Sequence, residues 1–159
     1  MPNLVSIIIS CYNASSYIKE TVGSILDQTF QNFEIIVIND GSTDQSSEVI
    51  KTIKDDRINL VEQKNQGVSF SRNNGIALAK GEFMVFLDSD DTLHPNFLES
   101  RIFNLKKSTA IACASSVVLI DDKGSKIEGN KKHFAANKSS QILEFKNGIV
   151  TCPSSYLFK

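Results

Sequence analysis

This chain is short of most features that would single out a special environment. Its three cysteines, Cys11, Cys113 and Cys152, are odd in number and form no C-x-x-C pair, which argues against a disulfide framework or a zinc site and for reduced thiols. A formal net charge of -1 offers nucleic acid no electrostatic footprint. No run approaches the ~20 apolar residues that a membrane span needs. The start, MPNLVSIII, has no basic n-region and no cleavage pattern, so a cytoplasmic protein is expected, at most peripheral at the inner face of the membrane. Repeats, low-complexity tracts and linkers are all absent from the sequence. The turn after the first apolar run, SCYNASSY, lacks glycine and so cannot make the G-x-G-x-x-G turn of a dinucleotide-binding protein, nor the glycine-rich loop of a sugar nucleotidyltransferase.

What is present is a regular alternation. With 159 residues, 41% of them hydrophobic, the chain can close a single core, since a domain of about 150 residues buries about 70% of its unfolded surface. Leu4 to Ile9 reads as a strand, and Ile18, Val22, Ile25 and Leu26 mark one face of a following helix that Asn13 or Ser15 could cap. Ile35 to Ile38 is a second strand. The capping-box spacing of Ser42 to Gln45 opens a helix with Val49, Ile50 and Ile53 on its apolar face. A third strand, Ile58 to Val61, and a small-residue helix, Val68 to Lys80, follow, with Gly81 expected as the C′ glycine. Phe83 to Leu87, an unbroken apolar run, predicts a fourth strand buried on both faces. Four parallel strands with right-handed crossovers result. Beyond Pro95 come a helix carrying Phe97, Leu98, Ile102 and Leu105, an apolar segment from Ala110 to Ile120, a hairpin-like DDKG at 121–124, and a strand-like end at Ser155 to Lys159.

The chemistry gathers where these strands end. In open parallel sheets the ligand crevice lies past the carboxyl ends of the strands. Asp88, Ser89, Asp90 and Asp91 are delivered there by the fourth strand. Two carboxylates 4 Å apart repel by about 4 kcal/mol at an effective dielectric near 20, so such a cluster protonates, spreads or takes a cation, and Mg²⁺ or Mn²⁺ suits hard oxygen ligands. The first strand runs into Ser10, Cys11, Tyr12 and Asn13; a tyrosine there either stacks on a planar ring or packs over a turn. The second ends in Asn39, Asp40 and Gly41, where the carboxylate accepts from a base or ribose, or merely caps an Asp-Gly turn. Arg72 stands beside Gly75 in a helix, a glycine that suggests close backbone approach; the arginine is either a phosphate clamp or half of a salt bridge. His94 and His133 read as solvated or packed rather than as ligands.

In combination these motifs closely resemble the inverting, family 2 glycosyltransferases of the GT-A fold. The resemblance runs from about Val5 to Leu98 through QTFQNFEIIVINDGSTD, NQGVSFSRNNGIALAKGEF and the DXD-containing LDSDD. It implies an α/β, Rossmann-like GT-A fold with a mainly parallel sheet flanked by helices and a mixed C-terminal portion. It implies a metal-dependent enzyme, using Mg²⁺ or Mn²⁺, that moves a sugar from a nucleotide-diphosphate sugar, with UDP the commonest nucleotide, to a hydroxyl of a sugar or lipid-linked acceptor, as in polysaccharide biosynthesis. By resemblance Tyr12 and Asp40 hold the base, Arg72 the base-side or phosphate region, Asp88 the ribose or sugar, and Asp90 the metal, with Ser10, Asn13 and Ser89 lining the donor site. One domain is expected, residues 1–95 forming the nucleotide-sugar-binding half and 96–159 an incomplete acceptor half.

The catalytic base of such enzymes lies in an acidic motif downstream of a segment resembling CPSSYLFK, so it is expected beyond Lys159, in a chain that reads as truncated. Asp121, Asp122, Glu128 and Glu144 sit in no matching context. The open final strand is expected to form an exposed edge through which copies of the chain could associate. Two other readings stand beside this one. The chain could be a nucleotide-binding module without turnover. Alternatively, Asp88 to Leu93 fits the D-x-D-x-T pattern of haloacid dehalogenase-type phosphatases, with Asp88 as nucleophile, Asp90 as acid/base and Asp121 and Asp122 as a metal pair.

Overall fold

A computed structural model describes residues 3–114 and 156–159, together with Val118 and Ser125. Six strands and four helices follow in the order β1 (Val5–Cys11), α1 (Ile18–Leu26), β2 (Phe33–Asp40), α2 (Ser46–Thr52), β3 (Ile58–Gln63), α3 (Val68–Leu78), β4 (Phe83–Asp88), α4 (Phe97–Lys106), β5 (Ala112–Ala114) and β6 (Tyr156–Phe158). They make one sheet ordered β3-β2-β1-β4-β6-β5. The first four strands pair in parallel and β6 runs antiparallel to both of its neighbours. The connections from β1 to β3 step outward in one direction, then the chain crosses back to lay β4 on the other side of β1. The order therefore reverses between β1 and β4, which is where a crevice opens in such sheets.

Alternation of side chains along each strand divides the core into two layers. On one face Val5, Ile7 and Ile9 of β1, Phe33, Ile35 and Val37 of β2, and Phe83, Val85 and Leu87 of β4 pack against α1, α2 and α4 through Ile18, Val22, Ile25, Ile50, Leu98 and Ile102. The opposite face carries Ile8, Ile36 and Ile38, and there α3 lies across β1 and β2. It lies very close: a Cβ added at Gly75 would stand 2.3 Å from Ile8 Cγ2. The close approach expected at Gly75 is thus a contact with the central strand.

Several local expectations are corrected. Helix α1 begins after Tyr17, which makes no side-chain cap, and neither Asn13 nor Ser15 caps it. Asn13 instead takes a left-handed φ of 51° and its Oδ1 accepts from Thr43 N at 2.8 Å, while Ser15 N donates to Asp44 Oδ2 at 3.0 Å, so both stitch the β1–α1 loop to the β2–α2 loop. Asp44 serves that junction, and α2 starts after Gln45 without a side-chain cap. Gly81 is no C′ glycine: α3 ends at Ala79 in extended conformation, and Gly81 is required because a Cβ there would meet Ser6 N at 2.6 Å and Leu4 O at 2.8 Å. Strand β4 is buried on one face only. Met84 and Phe86 are half-buried because they lie on the face where α3 covers β1 and β2 but leaves β4 to the edge-on ring of Phe158, 5.9 Å from Phe86. Finally, the last strand is no edge. β6 is inserted between β4 and β5, with Leu157 pairing both Val85 and Cys113, so the self-association route through that strand is closed. The DDKG turn, His133, Cys152, Asp121, Asp122, Glu128 and Glu144 lie outside the described residues.

Candidate functional site

The parallel register brings the polar strand ends to one level. Ser10 of β1 is the register partner of Asp88 on β4, and Asp40 of β2 that of Gln63 on β3. Even-numbered positions of β1 and β2 and the matching positions of β4 face α3, so Ser10, Asp40 and Asp88 emerge on the same side as that helix. Between them opens a cleft of about 340 Å³ lined by Ser10, Cys11, Tyr12, Asp40, Ser71, Arg72, Asp88, Ser89 and Asp90, with Val68 at its margin.

Arg72 crosses the cleft. Its Nη2 donates to Asp88 Oδ1 at 2.7 Å, a pair neither buried nor fully solvated. Arg72 is thus half of a salt bridge, and that bridge is itself a wall of the cleft. Asp40 is 3% exposed, and its carboxylate is largely committed: Oδ1 accepts from Gln63 Nε2 at 2.7 Å and from Gln66 N at 2.9 Å, and Oδ2 from Gly67 N at 2.8 Å. Burial opposes its ionisation, but these donors together with Ser71 outweigh that effect and hold the carboxyl below the usual range. Asp40 is thus the anchor of the loop that enters α3. With two lone pairs per oxygen, Oδ2 has acceptor capacity beyond its bond from Gly67 N.

Gln63 and Ser71 complete this anchor, and no sequence motif gives either of them a role. Gln63 Nε2 also reaches Ser71 Oγ at 3.2 Å, and its Oε1 accepts from Asn74 Nδ2 at 2.9 Å, so one side chain ties β3 to two turns of α3. A polar residue closing the Ile58 strand opposite Asp40 was the available signal. Tyr12, 51% exposed, presents an open ring at the rim. Cys11 is fully buried at the floor, and burial pushes its thiol up despite the opposing influence of the nearby Ser46 and Ser42 hydroxyls, so it is a packed thiol. His94 is exposed and pairs through Nδ1 with Asn96 Oδ1 at 2.8 Å, away from the cleft lining.

The acidic residues form a turn closed by Asp91 N donating to Asp88 O at 3.1 Å, with Asp90 exposed at its tip. Among the described residues no three His, Cys, Asp or Glu side chains converge as an all-protein metal cage. Hard carboxylate oxygens at an open rim nonetheless fit Mg²⁺ or Mn²⁺, which are commonly held by one or two carboxylates plus phosphate oxygens of a ligand and water.

Comparison with known proteins gives the arrangement its context. Residues 6–158 match the family described as "Glycosyl transferase family 2". An uncharacterized glycosyltransferase of Rickettsia bellii is 39% identical over 151 residues, covering 94% of this chain and 21% of that protein, and the glycosyltransferase GlyG of Streptococcus pneumoniae is 41% identical over 103 residues, covering 63% and 34%. The chain thus spans a fifth to a third of the length of these two relatives. The crystal structure of S. aureus TarS 1-349 superposes on 98% of this chain and 46% of that one with a TM-score of 0.74 at 21% identity, a likeness of fold. TarS 1-349 in complex with UDP-GlcNAc matches 68% of this chain and 32% of its own with a TM-score of 0.61 at 29% identity. The mannosyltransferase PcManGT of Pyrobaculum calidifontis, in complex with GDP-Man and Mn²⁺, matches 70% of this chain and 34% of its own with a TM-score of 0.65 at 25% identity. A polar cleft at the switch point of a mainly parallel sheet and a family match across almost the whole length lead to the same conclusion: this chain belongs to glycosyl transferase family 2.

Proposed function

We propose that this chain is the nucleotide-sugar-binding part of an inverting glycosyltransferase, residues 1–95 carrying the donor site and 96–159 beginning the acceptor side. The observation that carries the reading is the Arg72–Asp88 pair, 2.7 Å apart, in a cleft that also collects Ser10, Tyr12, Asp40 and Asp90. A cation of the pair is free to exchange its carboxylate partner for a diphosphate, and the released Asp88 can accept from a ribose or sugar hydroxyl. Tyr12 offers its exposed ring to a base, and the remaining lone pair of Asp40 accepts a base N–H. Ser10 and Ser89 line the same cleft, whereas Asn13 is outside its lining and ties the adjoining β1–α1 loop to Thr43.

Asp90, exposed and outside the Arg72 pair, is the carboxylate assigned to Mg²⁺ or Mn²⁺. When bound, such an ion offsets the charge that develops on a departing nucleoside diphosphate. The acceptor hydroxyl oxygen forms its bond to the anomeric carbon on the face opposite the breaking bond to the diphosphate, and its proton passes to a base. No residue of this chain is assigned as that base. UDP-GlcNAc in one solved neighbour and GDP-Man with Mn²⁺ in another support the nucleotide-sugar class without choosing between nucleotides. Among the described residues no helix is long and apolar enough to cross a membrane, and we place the protein in the cytoplasm, working on a sugar or lipid-linked acceptor.

Calorimetric titration with UDP and GDP, with and without Mn²⁺, tests the assignment. Asp90→Asn should keep the fold and lose at least tenfold in Mn²⁺-dependent affinity; a folded variant with native Mn²⁺-dependent affinity rejects Asp90 as the ligand.

A further inference from the structure

The acidic turn is held from below by a part of the molecule that the roles above leave unused. Thr21 and Ser24 of α1 and Gln28, just beyond its C-terminal end, lie three and four residues apart along one side of the helix. All three grip the segment that follows β4. Thr21 Oγ1 donates to Ser89 O at 2.9 Å. Ser24 Oγ donates to Thr21 O at 2.7 Å and accepts from Leu93 N at 3.1 Å. The Gln28 amide donates to Ser24 O at 3.0 Å and His94 O at 2.9 Å, and its oxygen accepts from Leu98 N at 3.1 Å. Thr21 and Gln28 are 1% and 2% exposed, so water does not compete for these bonds.

The first of these contacts bears on the cation site. A threonine within a helix ordinarily returns its hydroxyl to a carbonyl one turn back. Thr21 sends it to another element. The carbonyl it meets, Ser89 O, belongs to the planar peptide unit joining Ser89 to Asp90, so holding that oxygen holds the plane that carries Asp90 N and Cα and narrows the directions open to the Asp90 side chain. Asp88 has its own constraint in Arg72. Asp90 is exposed and, among the described residues, in no ion pair, so its placement depends on the backbone beneath it.

We infer that Thr21, backed by Ser24, is a positioning residue that presets the Asp88–Asp91 turn for cation binding. The inference rests on the assignment of the cation to Asp90 made above. Thr21→Val keeps the shape of the side chain and removes the hydroxyl; Thr21→Ser keeps the hydroxyl. Both are titrated with UDP and GDP in Mn²⁺ and in EDTA, with thermal melting recorded alongside. In Thr21→Val the ratio of affinity in Mn²⁺ to affinity in EDTA should fall at least fivefold, with affinity in EDTA within twofold of native, and Thr21→Ser should restore the ratio to within twofold. An unchanged ratio in folded Thr21→Val overturns the inference and leaves the Asp90 assignment standing, as does an equal loss in Mn²⁺ and EDTA, which marks a general packing role. A native chain with no Mn²⁺ dependence removes the Asp90 assignment and this inference together. Should Thr21→Val fail to fold, Ser24→Ala, which leaves Leu93 N without its acceptor and Thr21 O without that donor, is read by the same ratios.

Discussion

Two glycines in helices make opposite predictions for the same substitution, and the pair tests how α3 carries Arg72. Gly→Ala in a helix interior gains about 1 kcal/mol from propensity alone. At Gly75 that gain meets a wall: the new Cβ would sit 2.3 Å from Ile8 Cγ2 and 3.3 Å from its Cγ1, whereas apolar carbons rest about 3.5–4.0 Å apart. Ile8 is fully buried in the central strand and branched at Cβ, so its methyl cannot swing aside as a long side chain would. The helix must lift by about 1 Å or the strand must bow, and so close an approach belongs in the upper part of the overpacking range, about 2–3 kcal/mol. We expect Gly75→Ala to be destabilised by about 1–2 kcal/mol net in urea unfolding and, because α3 bears Arg72 and Ser71, to bind UDP or GDP more weakly as well. Gly23, in α1, has nothing within 4 Å of the corresponding position, so Gly23→Ala should be stabilised by up to about 1 kcal/mol with binding unchanged. A Gly75→Ala chain as stable as native, or equal shifts in the two variants, would refute the argument that close packing on Ile8 sets the height of α3.

Two further outcomes follow from the hydrogen-bond geometry. Asp40→Ala leaves Gln63 Nε2, Gln66 N and Gly67 N without their acceptor, so it should lower stability by about 1–3 kcal/mol and weaken nucleotide binding while leaving Mn²⁺ dependence intact; an equal loss of affinity for inorganic pyrophosphate would show that Asp40 serves the loop rather than a base. Acid should loosen the fold through carboxylates held low in the native state: Asp44 by hydrogen bonds from Ser46 and Ser15, and Asp55, lowered to about 2, by Arg57. Since folding depresses these values, their stabilisation is present above about pH 4 and is lost as pH falls toward 2, worth roughly 1–2 kcal/mol for Asp55 after solvent screening. Urea midpoints measured from pH 5 to pH 2.5 check this, and Asp44→Asn should flatten the decline.

What could be read from the residues alone depended on how far each signal reached along the chain. Strands β1, β2 and β4 carry unbroken apolar runs that announce themselves without a partner, and β3, at the sheet edge, keeps the pattern only through Ile58, Leu60 and Val61, so the alternation of strand and helix was legible, as was the reason for Gly75. The rim followed from the same logic, because strand ends in a parallel sheet share one edge, and the structure does bring Ser10, Tyr12, Asp40, Arg72 and Asp88 to one cleft. Contacts between distant segments were not legible. Asn13 and Ser15 look like caps for the helix that follows them, yet a competing loop from β2 offered better partners in Thr43 and Asp44. Gly81 stands where a C′ glycine would, but the close passage of Ser6, far away in sequence, is what forbids a side chain. Asp40 could be placed at the rim, though not its three donors, two of which are backbone N–H groups with no sequence signature.

The insertion of β6 between β4 and β5 has a consequence for how the molecule is made. A ribosome delivers residues 1–88 first, and everything needed to join β1, β2, β3 and β4 is available once Asp88 has emerged. Strand β5 follows soon after but is not β4's partner; it borders only β6, the last described strand. At about 5–20 residues per second, the roughly 40 positions separating β5 from β6 take about 2–8 s to synthesise. Throughout that interval the β4 flank, with its row of Met84, Val85 and Phe86, lacks its eventual neighbour. The cleft is thus assembled early on a half-finished sheet, and among the described strands the one that seals the hydrophobic flank is the last to be made, so the β4 flank stands unpaired until Tyr156–Phe158 arrives.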